Sequence, residues 1–265
     1  MGKYVKAEIT KTDTSLKKYF NSQLNNAIVE HGYSNSLVCV FYLDNNQFNN
    51  GAKISKLLDK KSFFPSYEAT KKTDSNKPTA DDDLYFSYLY FRDKKFLSVN
   101  YDLSYKNNLN VFVVFRILDT VNMINNGIFG NDKWFINVHK SKNKFYLAIG
   151  YGSGHEFIET FSSKASPVTL NFSALSVHYN TLQVSDSLVY SNGKYVANFT
   201  AESNIVNPNT FSIGAISTDA PLYDSQKQIP YFSLYHGCFS RKDILIHHKY
   251  LCERYRIDHD PITIP

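Results

Sequence analysis

The chain is poor in residues that staple or anchor a protein. It has three cysteines in 265 residues, Cys39, Cys238 and Cys252. The count is odd, and a chain of this length buries a core without disulfides. Reduced, partly buried thiols are therefore expected. No apolar run reaches the ~20 residues that cross a bilayer as a helix, which argues against membrane insertion. The stretch from Met1 to Thr10 has no apolar core of signal-peptide length. Gly2 has no hydroxyl residue at position six, so the myristoylation pattern fails as well. A soluble protein is expected, either cytoplasmic or carried within an assembly such as a virion.

Charge of one sign is also scarce. Lys and Arg number 29 and Asp and Glu 24, a net +5 spread along the chain. A nucleic-acid footprint needs clustering on one face, so no nucleic-acid partner is expected. Paired carboxylates are missing too. A retaining glycosidase needs two of them about 5 Å apart. The nearest approach is Glu156-Phe-Ile-Glu159, and residues three apart on a strand face opposite ways. The chain is read as a non-enzyme, with a glycoside hydrolase of unrecognised site as the third-ranked reading.

What is present in abundance is aromatic: 20 Tyr and 20 Phe, residues that suit half-buried pleated surfaces. The clearest local signal is Leu188 to Thr200, where Asn192-Gly193 separates two β-rich runs. A type I′ turn needs φ > 0 at both central residues, which Asn-Gly tolerates, so a hairpin is predicted. Leu37 to Leu43 reads as a strand buried on both faces, and Asn110 to Leu118 as the strongest core strand. Trp134–Val138 and Lys144–Ile149 pair across Ser-Lys-Asn-Lys. Lys60 to Asp83 reads as a long surface connection, with Asp81-Asp82-Asp83 in a solvated loop. In all, roughly twelve to fourteen strands are expected at the spacing of a sandwich.

Two helices flank this β region. Leu16, Phe20, Leu24 and Ile28 recur every four residues, predicting an amphipathic helix from Thr14 to His31. Ser240 and Asp243 form a capping-box pattern ahead of Ile244, Leu245, His248, Leu251, Cys252 and Tyr255, predicting a helix from Arg241 to Tyr255. The expected fold class is all-β: a two-sheet antiparallel β-sandwich (jelly roll) with an N-terminal helix and a short C-terminal helix. The expected divisions are an arm over 1–36, a sandwich over 37–257 and an extended tail over 258–265.

The order of these signals resembles the concanavalin A-like lectin/glucanase superfamily, in its laminin-G-like branch. The residues that carry the likeness are Asn110–Leu118, the Asn192-Gly193 hairpin and Phe211-Ser-Ile-Gly214. They continue with Pro230-Tyr-Phe-Ser-Leu-Tyr-His-Gly-Cys-Phe-Ser240 running into Lys249-Tyr-Leu-Cys-Glu-Arg-Tyr-Arg-Ile257. The likeness departs at Lys227-Gln-Ile-Pro230, where the branch carries a glycine and an acidic residue. It implies a two-sheet jelly roll and leaves function open, because that fold hosts lectins, glucanases and adhesion modules.

Sugar binding requires an exposed aromatic platform with amides or carboxylates on neighbouring loops. The candidate ligand-binding set is Asn131, Asp132 and Trp134, with Tyr151 and His155 near the glycine loop Gly150–Gly154. The competing reading puts Trp134 in the core. His248 and Cys252 stand at i and i+4 near Cys238, a spacing zinc accepts, but core packing on a docking helix accounts for both. No metal or cofactor is predicted. The leading functional expectation is a structural or adhesion protein, most plausibly a virion component. It would self-associate, or join other assembly proteins, through the N-terminal arm. The alternative is a soluble carbohydrate-binding module with a glycan partner. The Asn192-Gly193 turn is expected only to hold strand register.

Overall fold

The computed structural model describes residues 37–42, 51–54, 56–58, 68–70, 77–82, 86–92, 95–100, 108–118, 125–131, 134–141, 144–151, 155–162, 172–179, 187–200, 210–216, 226–237 and 239–265. The helix predicted over Thr14–His31, and with it the N-terminal arm, lies outside the described residues. Sixteen strands, numbered in chain order, and one helix occur among the described residues.

The strands form two antiparallel sheets. The first runs β14 (Lys194–Phe199), β13 (Ser187–Ser191), β12 (Ser173–Tyr179), β7 (Leu109–Ile117), β16 (Lys227–His236), β5 (Ser87–Phe91) and β4 (Thr79–Asp82). The strand β1 (Leu37–Tyr42) also pairs with β16. The second sheet runs β11 (His155–Ser162), β10 (Lys144–Tyr151), β9 (Trp134–Ser141), β8 (Asn125–Gly130), β15 (Thr210–Ile213), β6 (Leu97–Asn100), β3 (Glu68–Thr70) and β2 (Lys56–Leu58). This is the two-sheet antiparallel sandwich expected from the strand pattern.

Period-two alternation puts each face of the first sheet to a different use. In β7, Val111, Val113, Phe115 and Ile117 join the core between the sheets, while Phe112 and Val114 join a second core on the outer face. In β1, Cys39 and Phe41 point inward, and Val40 and Tyr42 outward. Both strands are thus buried on both sides, which is why they carry continuous apolar stretches, Leu37–Tyr42 and Val111–Phe115. The outer core is closed by the helix α1 (Arg241–Arg254) through Leu251 and Cys252. The Ser240 hydroxyl accepts from the Asp243 N–H, and the Asp243 carboxylate accepts from the Ser240 N–H, completing the predicted capping box.

Pro230 lies within β16, a strand paired on both sides. Proline cannot donate to a ladder and is confined to edges and bulges. Here the register against β7 slips between Gln228 and Tyr231, and the strand changes partners there. Its residues Lys227–Ile229 pair with β5 and Tyr231–Tyr235 with β1. Lys227, where the sequence departs from the laminin-G-like pattern, is buried. Its ammonium donates to Asn126 Oδ1 and to the Gly127 carbonyl, each at 2.7 Å. A buried cation requires such acceptors, and this one ties β16 of the first sheet to β8 of the second.

Asp81 and Asp82 are a correction to the sequence reading. They lie in β4, paired with β5, and not in a solvated loop. Their carboxylates accept from hydroxyls of the partner strand, Asp82 from Ser87 at 2.6 Å and Asp81 from Tyr88 at 3.1 Å. Cross-strand hydrogen bonds offset the poor β propensity of aspartate.

Gly130 ends β8 with φ at +133°. A Cβ there would lie 2.2 Å from the Trp134 carbonyl oxygen and 2.4 Å from Phe135 Cα. Backbone cannot retreat as a side-chain tip can. Gly130→Ala is expected to cost about 2–4 kcal/mol from strain and overpacking together. Urea denaturation measures this, and a loss under about 1 kcal/mol would show that the β8–β9 turn yields.

Candidate functional site

Asn192 and Gly193 have φ of +50° and +78°, the left-handed pair that a type I′ turn requires. Asn192 is bonded back to β12. Its N–H donates to the Ala174 carbonyl and its Oδ1 accepts from the Ala174 N–H, both at 2.8 Å. The turn is thereby fixed to the sheet and projects toward the N-terminal half of α1.

The chain after α1 returns to the same place. Arg256 adopts φ of +51°. The Ile257 N–H donates to the Cys252 carbonyl at 2.9 Å and the Arg256 N–H to the Glu253 carbonyl at 3.4 Å. This is a Schellman reversal with arginine in the position glycine usually fills. It directs residues 258–265 back over the hairpin, where Ile262 and Ile264 pack with Tyr190, Ile244 and Leu245. Gly193 makes room for the tail, since a Cβ on it would lie 2.2 Å from Ile262 Cδ1.

Between these three elements lies a cleft of about 730 Å³. The turn contributes Asn192, Lys194 and Tyr195, α1 contributes Arg241 and Leu245, and the tail contributes Asp258 to Thr263. Tyr195 is the one large hydrophobic side chain exposed among the described residues, at 46%. Its ring stands edge-on to Tyr190, with centroids 5.7 Å apart. Lys194 and Arg241 bring cations, and Asp258 and Asp260 bring carboxylates. Burial raises the Tyr190 phenol above its ordinary pKa, against the opposing pull of Arg241, so the ring behind Tyr195 stays neutral. The cleft offers an aromatic face bordered by charged hydrogen-bonding groups of both signs.

A buried polar chain underlies the turn. The Gly193 N–H donates to His248 Nδ1 at 3.1 Å, and His248 Nε2 meets Ser176 Oγ at 2.7 Å. Ser176 Oγ meets His178 Nε2 at 2.8 Å, and His178 Nδ1 meets Asn110 Oδ1 at 2.8 Å. Asn110 Nδ2 donates to the Gly237 carbonyl at 2.7 Å. Ser176 and His248 are fully buried, so this Ser-His pairing faces no substrate.

Trp134 and Asn131 of the expected sugar-binding set lie in the core and not at this cleft. Trp134 is fully buried, with its ring edge-on to Phe129 at 4.7 Å and Tyr179 at 5.3 Å. Asn131 is buried as well. Its Oδ1 accepts from the Trp134 N–H at 2.9 Å, and its own N–H donates to the Trp134 carbonyl at 2.7 Å. The two are brought together as a turn lock, and neither forms an exposed rim. Trp134 starts a strand whose same-face neighbours, Ile136 and Val138, point inward, and a ring of that size gains most by burial. Tyr151 is the register partner of Trp134 across β9 and β10, and His155 pairs with Gly150. Asp132 lies outside the described residues. Both ring nitrogens of His248 are engaged by Ser176 and Gly193. Among the described residues, no group of three His, Cys, Asp or Glu is placed to hold a metal ion. No helix among them is long and apolar enough to cross a membrane.

Sequence reasoning missed the cleft because its walls come from residues 191–196, 241–245 and 258–263. Tyr195, at the second position after an Asn-Gly turn, was the available signal.

No protein-family model matches the chain. No curated protein matches it in sequence. Solved structures do match it in fold. One is of botulinum neurotoxin type C, whose uptake into cells depends on interaction with two ganglioside molecules. It has a TM-score of 0.59 and 16% identity, covering 84% of this chain and 53% of that one. The botulinum neurotoxin serotype C1 binding domain gives 0.59 at 15% identity, over 83% and 53%. The serotype D ligand-binding domain in complex with N-acetylneuraminic acid gives 0.58 at 12% identity, over 84% and 52%. The chain therefore spans about half the length of these structures and shares their β-sandwich fold.

Proposed function

We propose that the chain is a non-enzymatic, lectin-like carbohydrate-binding module, with the cleft between the Asn192-Gly193 turn, α1 and the tail as its glycan site. Tyr195 carries the reading. An exposed aromatic ring beside charged hydrogen-bonding groups is the surface that a sugar's apolar face and hydroxyls together require. The fold supports it, since the similar solved structures include a neurotoxin whose cell entry depends on two ganglioside molecules and a ligand-binding domain bound to N-acetylneuraminic acid. On this reading the sandwich is of the concanavalin A-like, laminin-G-like type. The virion-component reading rests on anchoring through residues 1–36, and nothing among the described residues favours it over a binding module.

A glycan array followed by titration calorimetry tests the proposal. Tyr195→Ala is expected to weaken the bound glycan about tenfold or more, as loss of a stacked aromatic anchor does. Its folding stability is expected to stay within about 0.5 kcal/mol of the parent, because the side chain is exposed on an edge strand. Unchanged affinity in Tyr195→Ala would move the site elsewhere, and an array with no bound glycan would end the carbohydrate reading.

A further inference from the structure

The geometry points to an acid-released clasp at this cleft: the Gly193–His248 contact holds the turn against α1 at neutral pH and releases it on acidification. What the release does rests on the cleft reading above, and the release itself on the buried polar chain.

The direction of every hydrogen bond in that chain follows from its first donor. The Gly193 amide can only donate, so His248 Nδ1 must accept. A neutral His248 then carries its proton on Nε2 and donates to Ser176 Oγ. The Ser176 hydroxyl is left to donate to His178 Nε2, which places the His178 proton on Nδ1, facing Asn110 Oδ1. Asn110 passes the order on to the Gly237 carbonyl. Each atom has one role, and all roles are filled only when both imidazoles are neutral. A proton on His248 Nδ1 would confront the Gly193 N–H, donor against donor. A proton on His178 Nε2 would leave Ser176 with two donors and no acceptor for its own proton.

Among the described residues, nothing near the rings would hold such a proton. The titratable groups around them are His247 on α1 and Tyr190 on β13, and His247 in turn packs against Tyr231 and Tyr235 on β16. Phe112 of β7 and Phe239 supply apolar faces. Among the described residues no carboxylate contacts either imidazole. Burial pushes the His248 imidazole down to about 3, and burial with the neighbouring His248 and His247 pushes His178 well below its ordinary value.

Protons therefore enter by opening. A histidine that titrates near 6.5 when exposed, and not when closed, favours the open form roughly 30-fold at about pH 5. The two together favour it roughly 1000-fold. The turn itself stays bonded to β12 through Asn192 and Ala174, so the separation falls between the turn and α1 with its tail. That is the boundary that forms the cleft.

Amide hydrogen exchange on the intact chain tests the clasp. Between about pH 7.5 and pH 5, the protection factor of Gly193 is expected to fall at least 30-fold and to lie below that of the β7 amides at both values, since the core amides report only global unfolding. Constant protection at Gly193, or protection equal to that of β7 at both pH values, would overturn it. His248→Asn offers an Oδ1 that accepts from Gly193 and gains no proton, so the fall should shrink by roughly 30-fold. If that variant does not fold, the comparison of Gly193 with β7 in the parent chain decides alone. A glycan array of neutral and sialylated glycans at both pH values separates the two readings. A glycan bound at pH 7.5 and at least tenfold weaker at pH 5 supports the clasp acting on the site. One held equally at pH 5 with Gly193 released shows that the clasp does not gate binding. No glycan at either pH, with Gly193 released, ends the carbohydrate reading and leaves the clasp standing.

Discussion

Replacing Trp134 with alanine is expected to remove about 3–5 kcal/mol of folding stability, the range for deleting a buried indole or phenyl ring. The ring is fully buried between the sheets and packs edge-on against Phe129 and Tyr179. The indole is held by packing within the core, and the truncation leaves a void there. Phe129 in turn contacts Phe211 and Phe232, which spreads the loss across β15 and β16. Urea denaturation read by far-ultraviolet circular dichroism gives the cost. A loss under about 1 kcal/mol would show that the core closes over the gap. The result also bears on function, because lost glycan binding in Trp134→Ala would report unfolding and not a missing platform. Tyr195→Ala is the variant whose binding can be interpreted.

Acidification is expected to remove a similar amount. His178 and His248 are neutral in the folded chain, with His248 held down to about 3 by burial, and both return to about 6.5 on unfolding. Below that pH the unfolded chain binds more protons than the folded one, so stability falls as pH falls. It continues to fall until the folded values are reached. Each histidine contributes about 1.4 kcal/mol per pH unit in that window. From pH 7 to pH 5 the pair therefore removes about 4 kcal/mol. Urea midpoints at the two pH values measure this, and His248→Asn should recover about half of the difference. A parent chain equally stable at both values would mean that both imidazoles are already charged when folded, and a loss of about half would mean that one is.

The strands and their faces were legible before the structure because their signals are local. The apolar run at 37–43 fits a strand covered on both sides, and the run from Val111 to Phe115 marks 110–118 as a core strand. Asn192-Gly193 dictated a turn whose backbone few other pairs tolerate. Ser240 and Asp243 announced the start of α1 through bonds made within four residues. Asp81 and Asp82 were misread for the converse reason. Their hydroxyl partners, Ser87 and Tyr88, satisfy them only once β4 and β5 are paired. Trp134 illustrates the same limit. Its place beside Asn131 was legible, but whether its ring faces solvent or the opposite sheet depends on which face of β9 the sandwich closes over.

The sequence by itself determined the class of fold, the buried strands at its centre, the register of the Asn192-Gly193 hairpin and the capped C-terminal helix. Each depends on contacts between residues a few positions apart, where spacing and backbone preference decide. Only the tertiary structure decided that this hairpin is a wall of the cleft, because its partners are His248 and Ile262, 55 and 69 positions on. It also decided that His178 and His248 share one serine. Burial, hydrogen-bond direction and charge at that point come from three elements meeting in space, and no local pattern encodes their meeting.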